Sequence, residues 1–148
     1  MLHNALPLGP RLCHFIPDTP RDCPWCPNME QTMEHFVITC RISKDLWKIA
    51  YETFEFSRDL PRPVSTEEVI TAANAKGPHL HTVMVWLHII IVYELWVLLT
   101  NKRWGRGSIP EPALGFIWKH RIKREIQVAL ANGKVKDKEK VLLRRHVL

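Results

Sequence analysis

From residue 43 onward the chain alternates segments of helical apolar spacing with short runs of proline and glycine. In SKDLWKIAYETF, Leu46, Trp47, Ala50 and Phe54 recur at helical intervals, and Ser43 stands where it can cap the helix. Pro61 and Pro63 close that unit. Ser65-Thr-Glu-Glu68 has the form of a capping box, with Glu68 placed to reach back to the cap, and Gly77 is a stop signal. Together they predict a short helix over 66–75. Pro110 and Pro112 open a further helix through EPALGFIWKHRIKREIQVALANG, ended by Asn132 and Gly133. The remainder, KVKDKEKVLLRRHVL, reads as a last weak helix or a tail.

Between these elements, residues 83–99 are apolar apart from His88 and Glu94. Seventeen residues is the lower edge of a bilayer span, which takes roughly 17 to 25. Both polar residues fall inside the stretch, and an ionised group near the bilayer centre costs about 2.5 to 3.5 kcal/mol. A fully buried core helix is therefore the favoured expectation. A single membrane span, with Lys102, Arg103 and Arg106 as its positive flank, is the alternative. His88 and Glu94 stand about 240° apart around a helix, so each is read as a polar group satisfied separately in the core.

The first 42 residues break this pattern. Four of the eleven prolines lie in residues 1–22, which predicts extended or irregular chain. Thr32 can cap a short helix running through His35. No internal repeat or low-complexity tract is present.

A length of 148 residues with 46% apolar composition suits one ordinary domain with a core. The N-terminus, MLHNALPLGPRLCHF, has neither a basic start nor an unbroken apolar stretch. The expectation is an intracellular protein of nucleus or cytoplasm, not a secreted one. In that reducing setting cysteines bind metal more often than they form structural disulfides. The charge is lopsided: ten lysines and arginines face three acids from Trp118 onward, while the first 117 residues hold eleven against twelve. Such a basic end suggests an anionic partner, usually nucleic acid or a membrane surface, or else a solvated helix face and frayed tail.

The candidate chemistry sits in RDCPWCPNMEQTMEHFVITCR. Cys23-Pro-Trp-Cys26 brings two thiols into one tight turn, and His35 and Cys40 follow in the spacing C-x2-C-x8-H-x4-C. Zinc takes four ligands of soft sulfur and borderline nitrogen, and this Cys3His set is complete, so the site should be structural, without an open position for water. His35 and Cys40 on one unbroken helix would point about 140° apart, so the helix must end or distort before Cys40. Competing readings are a redox C-x-x-C, which lacks a βαβ setting, a disulfide frame, and a Cys–His nucleophile without an orienting carboxylate. Cys13 and His14 are possible substitute ligands, although a small buried thiol is the more ordinary role for Cys13. The fold class expected is mainly α: a small irregular zinc-binding N-terminal unit over 1–57, a helical bundle over 64–133, and a basic tail over 134–148.

The run CPWCPNMEQTMEHFVITCRISKDLW resembles the reverse-transcriptase zinc-binding domain found at the C-terminal end of non-LTR retrotransposon polyproteins. The family's C-P-x-C turn, Glu-Thr pair, H-x4-C and downstream Trp fall here on Cys23, Pro24, Cys26, Gln31-Thr32, His35, Cys40 and Trp47. Gln31 stands where the family commonly has Glu, and the lead-in LHNALPLGPRL is similar as well. The resemblance covers residues 1–55. It implies a non-catalytic module whose polymerase chemistry lies in a preceding domain, and no Asp-Asp pair occurs in this chain.

Two functions follow as expectations. In the first, the module aids RNA or DNA binding, with Lys119, Arg121, Lys123 and Arg124 contacting phosphates beside Trp118 and His120 as a stacking platform. The bland counterpart places Phe116, Ile117, Ile122 and Ile126 in the core with the basic residues merely solvating the outside. In the second, the domain is structural and packs against a polymerase core through its apolar central helix.

Overall fold

In a computed structural model, which describes residues 8–105, 107, 109–133 and 135–144, a small hairpin and a distorted helical turn precede a bundle of helices. Pro7, Arg106 and residues 145–148, which belong to the lead-in, the basic flank and the tail, lie outside the described residues. Within the expected irregular segment, Gly9 to Leu12 form a single turn, α1, with Pro10 where its missing N–H is no loss. β1 (Asp22–Cys23) pairs antiparallel with β2 (Cys26–Glu30), Cys23 facing Cys26 and Asp22 facing Glu30 across an irregularity. Pro24 and Trp25 make the turn between them. Strands this short carry no readable alternation, which is why the hairpin is invisible in the sequence.

His35 to Thr39 form a π turn, in which the Cys40 amide donates to the His35 carbonyl at 2.8 Å. Thr32 caps its approach as expected, its Oγ1 accepting from the His35 amide at 3.1 Å. The wider i to i+5 closure stacks Cys40 over His35, where α-helical winding would swing them apart. The distortion required by the ligand spacing is thus a π turn.

Cys40 then turns extended, and α2 (Arg41–Thr53) begins. It starts two residues before the expected cap. Ser43 lies inside the helix, and its buried hydroxyl donates to the Phe36 carbonyl. The Trp47 indole donates to the Val37 carbonyl at 2.7 Å. Two side chains of α2 thereby satisfy carbonyls of the π turn, which its wide winding leaves without helical partners. Leu46, Trp47, Ala50 and Phe54 are all buried, although Phe54 stands just past the helix in extended conformation.

After the single turn α3 (Glu55–Arg58), the helix α4 (Thr66–Thr71) is shorter than expected. Ser65 Oγ accepts from the Glu68 amide at 3.2 Å, but the Glu68 carboxylate reaches past the cap to the Val64 amide at 2.9 Å. The stop comes at Ala72, left-handed with φ 46°, while Gly77, φ 89°, instead opens the next helix. That helix, α5 (Pro78–Trp104), buries Val83, Met84, Leu87, Ile91, Leu95 and Leu98 along one face. Its far side is open, with Ile89 and Tyr93 exposed, so α5 is half-buried where a fully buried helix was expected. It is long and apolar enough to cross a membrane by length and composition alone.

α6 (Glu111–Ala131) buries Leu114, Trp118, Ile122 and Ile126 at intervals of four against α2 and α5. The last segment takes the helical form of its two expected alternatives: α7 (Asp137–Arg144) packs on α5 and α6, with Leu143 buried. The fold is mainly α, and its N-terminal Cys/His cluster rides on the bundle through α2.

Candidate metal centre

The hairpin and the π turn bring four donor atoms together. Cys23, Cys26, His35 and Cys40 each offer one within 4.8 Å of every other. The Cys40 sulfur lies 3.7 Å from that of Cys23 and 3.8 Å from that of Cys26. A disulfide needs about 2.05 Å, so these thiols are not bonded to one another. Ligands held about 2.3 Å from a central zinc stand about 3.8 Å apart along each edge of a tetrahedron. The Cys40 sulfur already keeps that separation from the other two.

His35 completes the set. Its Nδ1 lies 3.1 Å from Thr39 Oγ1, while its Nε2 is buried without a hydrogen-bond partner. With Nδ1 donating to the threonine hydroxyl, Nε2 carries a free lone pair, the arrangement an imidazole ligand needs. An orphaned buried nitrogen in an all-protein core would be costly, and a cation beside three sulfurs removes that penalty.

The electrostatics point the same way. Cys23 is held below the ordinary thiol value, chiefly by the hydrogen bond from Cys40. Cys40 is correspondingly pushed far up, first by donating that bond and then by burial. Protons thus divide unevenly among sulfurs packed this closely, and a bound divalent cation replaces them outright.

Two arginines grip the cluster from outside. Arg41 Nε donates to the Trp25 carbonyl in the Cys23–Cys26 turn at 3.0 Å, and its two terminal nitrogens each hold a Glu111 oxygen at 2.8 Å. Arg103 donates to the carbonyls of Pro20 at 3.1 Å and Asp22 at 3.4 Å, and to Gln31 Oε1. Neither contact is legible in the sequence. Arg41 follows Cys40 directly, but nothing marks Glu111, seventy positions on, as its partner.

Cys13 is not part of the cluster: its sulfur donates to the Gly9 carbonyl at 2.9 Å within α1. His14 is exposed.

The expected nucleic-acid residues on α6 are dispersed by the helix. Trp118 is 2% exposed, so it cannot stack on a base; helical winding turns it to the core with Leu114 and Ile122. Arg121 is drawn to the buried Glu94 carboxylate at 3.2 Å. Lys119 and Arg124 remain exposed and Lys123 partly so. Phe116, which the bland alternative places in the core, is 71% exposed and stands edge-on to His120, while Ile117 is half-buried. His88 and Glu94 are each satisfied in the core by separate partners, His88 by Tyr51 and Val69.

No family model, curated protein or solved structure matches the chain.

Proposed function

We propose that this chain is a non-catalytic, structural zinc-binding module of the reverse-transcriptase zinc-binding kind, with Cys23, Cys26, His35 and Cys40 as its ligands. The observation that carries the metal reading is the sulfur spacing of 3.7 and 3.8 Å beside an unpartnered His35 Nε2. The family assignment rests on the C-x2-C-x8-H-x4-C spacing together with Trp47, whose indole secures the π turn that the H-x4-C interval demands. Zinc bound there would lend folding free energy to a hairpin too small to hold its own shape. Three sulfurs and one nitrogen fill a tetrahedron and leave the metal nothing with which to activate water. Purified protein should contain one equivalent of zinc. Cobalt substitution should give the intense visible bands of a tetrahedral thiolate site, and protein free of stoichiometric metal overturns the reading.

In this proposal the module assists RNA or DNA binding through Lys119, Lys123 and Arg124, which leave α6 away from its packed face. A second reading, packing against a polymerase core in longer relatives, is favoured by the outer side of α5. There Val85, Ile89, Val92, Tyr93 and Trp96 line an apolar cavity of about 340 Å³ with Ile70 of α4. Light scattering of the isolated chain separates the two: a strict monomer with salt-sensitive nucleic-acid binding supports the first.

A further inference from the structure

Arg103 is an arginine in an unusual position. It sits in the last turn of α5, and burial pushes its pKa below the ordinary guanidinium value. Its Nε is buried without a hydrogen-bond partner. Among the described residues no carboxylate lies within ion-pairing distance, although Asp18 and Asp22 border the same cavity. Its partners are neutral: two backbone carbonyls and the side-chain carbonyl of Gln31. A half-buried cation held only by dipoles has its solvation unreplaced unless an anion lies close by.

The metal-loaded cluster is one such anion. Asp22, whose carbonyl Arg103 holds, directly precedes Cys23, and Cys23 and Arg103 line one cavity. Three thiolates and a neutral imidazole around a divalent ion carry a net charge of −1. Arg41, the other arginine at the cluster, already gives its charge to Glu111 through two hydrogen bonds. Arg103 has no such commitment.

The junction that holds it is tightly built. Gln31, fully buried, accepts through Oε1 from both the Gly9 amide and Arg103, leaving its own Nε2 without a partner. A Cβ on Gly9 would come within 2.7 Å of the Arg21 carbonyl and 2.9 Å of the Arg103 guanidinium. Glycine at that position therefore lets α1, β1 and the end of α5 converge on one side chain. An amide at position 31 orients Arg103 without neutralising it.

We infer that Arg103 is the charge-compensating, positioning residue of the metal centre: delivered by α5 and aimed by Gln31, it offsets the negative charge of the loaded Cys3His site. The inference rests on the proposed metal site. It links the C-terminal end of the apolar helix to the metal affinity of the hairpin.

The test is zinc affinity of the full chain, by competition with a chromogenic chelator, for wild type, Arg103→Gln, Arg103→Lys and Gln31→Glu. Loss of one outer-shell partner typically lowers metal affinity about 10- to 100-fold. Arg103→Gln should fall in that range, and Arg103→Lys, which keeps the charge, should recover most of it. Gln31→Glu decides between roles even if Arg103→Gln fails to fold. A carboxylate there gives Arg103 an ion-pair partner and diverts its charge, so zinc should bind more weakly although the junction gains a salt bridge. A merely structural Arg103 would be held better by the introduced carboxylate, and zinc affinity would stay level or rise, which overturns the inference. Wild-type protein that binds no zinc overturns instead the metal site on which the inference stands.

Discussion

The Tyr51 hydroxyl lies 2.7 Å from His88 Nε2, and the opposite ring nitrogen, Nδ1, lies 2.8 Å from the Val69 carbonyl. A carbonyl only accepts, so Nδ1 carries the proton and Nε2 accepts from tyrosine. The tautomer is set by the neighbours, and His88 joins α2, α4 and α5 as a neutral ring. Burial is the main force pushing its pKa below 6.5, opposed in part by the Val69 hydrogen bond.

The pH dependence has a definite sign. The unfolded chain takes up a proton at His88 near the ordinary value, whereas the folded chain resists until lower pH. The stability that His88 contributes is therefore fully present above about pH 6.5 and is lost as pH falls through the depressed folded value. Urea midpoints should drop from pH 7.5 to 5.5. His88→Gln, less stable at neutral pH, should lose less over that range, so that the gap between the proteins narrows; a gap constant with pH would contradict this.

For the cluster, Cys26→Ser should abolish stoichiometric zinc and expose the amides of residues 21–40 to rapid hydrogen exchange. Cys13→Ser, altering a thiol that bonds only within its own turn, should leave zinc content unchanged. Equal zinc loss in both variants would mean that the ligand set is misassigned.

Trp118 belongs to the core. Trp118→Ala should cost about 3 to 5 kcal/mol in denaturant unfolding. The double substitution of Lys119 and Arg124 by alanine should leave stability within about 0.5 kcal/mol and weaken nucleic-acid binding. With about three phosphates engaged by Lys119, Lys123 and Arg124, the log–log salt slope on single strands should lie near −2. A flat response would remove nucleic acid as the partner.

The Arg121–Glu94 pair joins α6 to α5 with the glutamate side chain buried and the arginine partly exposed. Arg121→Ala leaves a buried carboxylate unpaired and should cost about 2 to 3 kcal/mol. Adding Glu94→Gln should restore part of that loss in a double-mutant cycle, and strict additivity would show that the pair is not coupled.

Much of the fold and of the cluster is legible in the sequence because it depends on spacing. Cys23, Cys26, His35 and Cys40 sit close in the chain, and the H-x4-C interval by itself requires a distorted helix. α5 is likewise marked by its apolar run, and α6 by Pro110 and Pro112 at its start. What spacing misses is partnership at a distance: Arg121 reads as a phosphate ligand until Glu94 is placed beside it. Trp118 misleads for a related reason, since an aromatic among basic residues carries no label for the side it faces. Ala72, a left-handed stop without glycine, is held by tertiary packing in a place where local preference argues otherwise.

All four cluster residues lie within eighteen consecutive positions ahead of α5 and α6, and the loops between them are short enough that closing them costs little entropy. Synthesis runs from the N-terminus, so these residues leave the ribosome before α5 or α6 has been translated. Arg103 and Glu111 arrive afterwards and meet Gln31 and Arg41 across the hairpin. The hairpin is thus synthesised before the residues that lock it, and a chain cut short before Glu111 would leave Arg41 without the acid it holds in the folded protein.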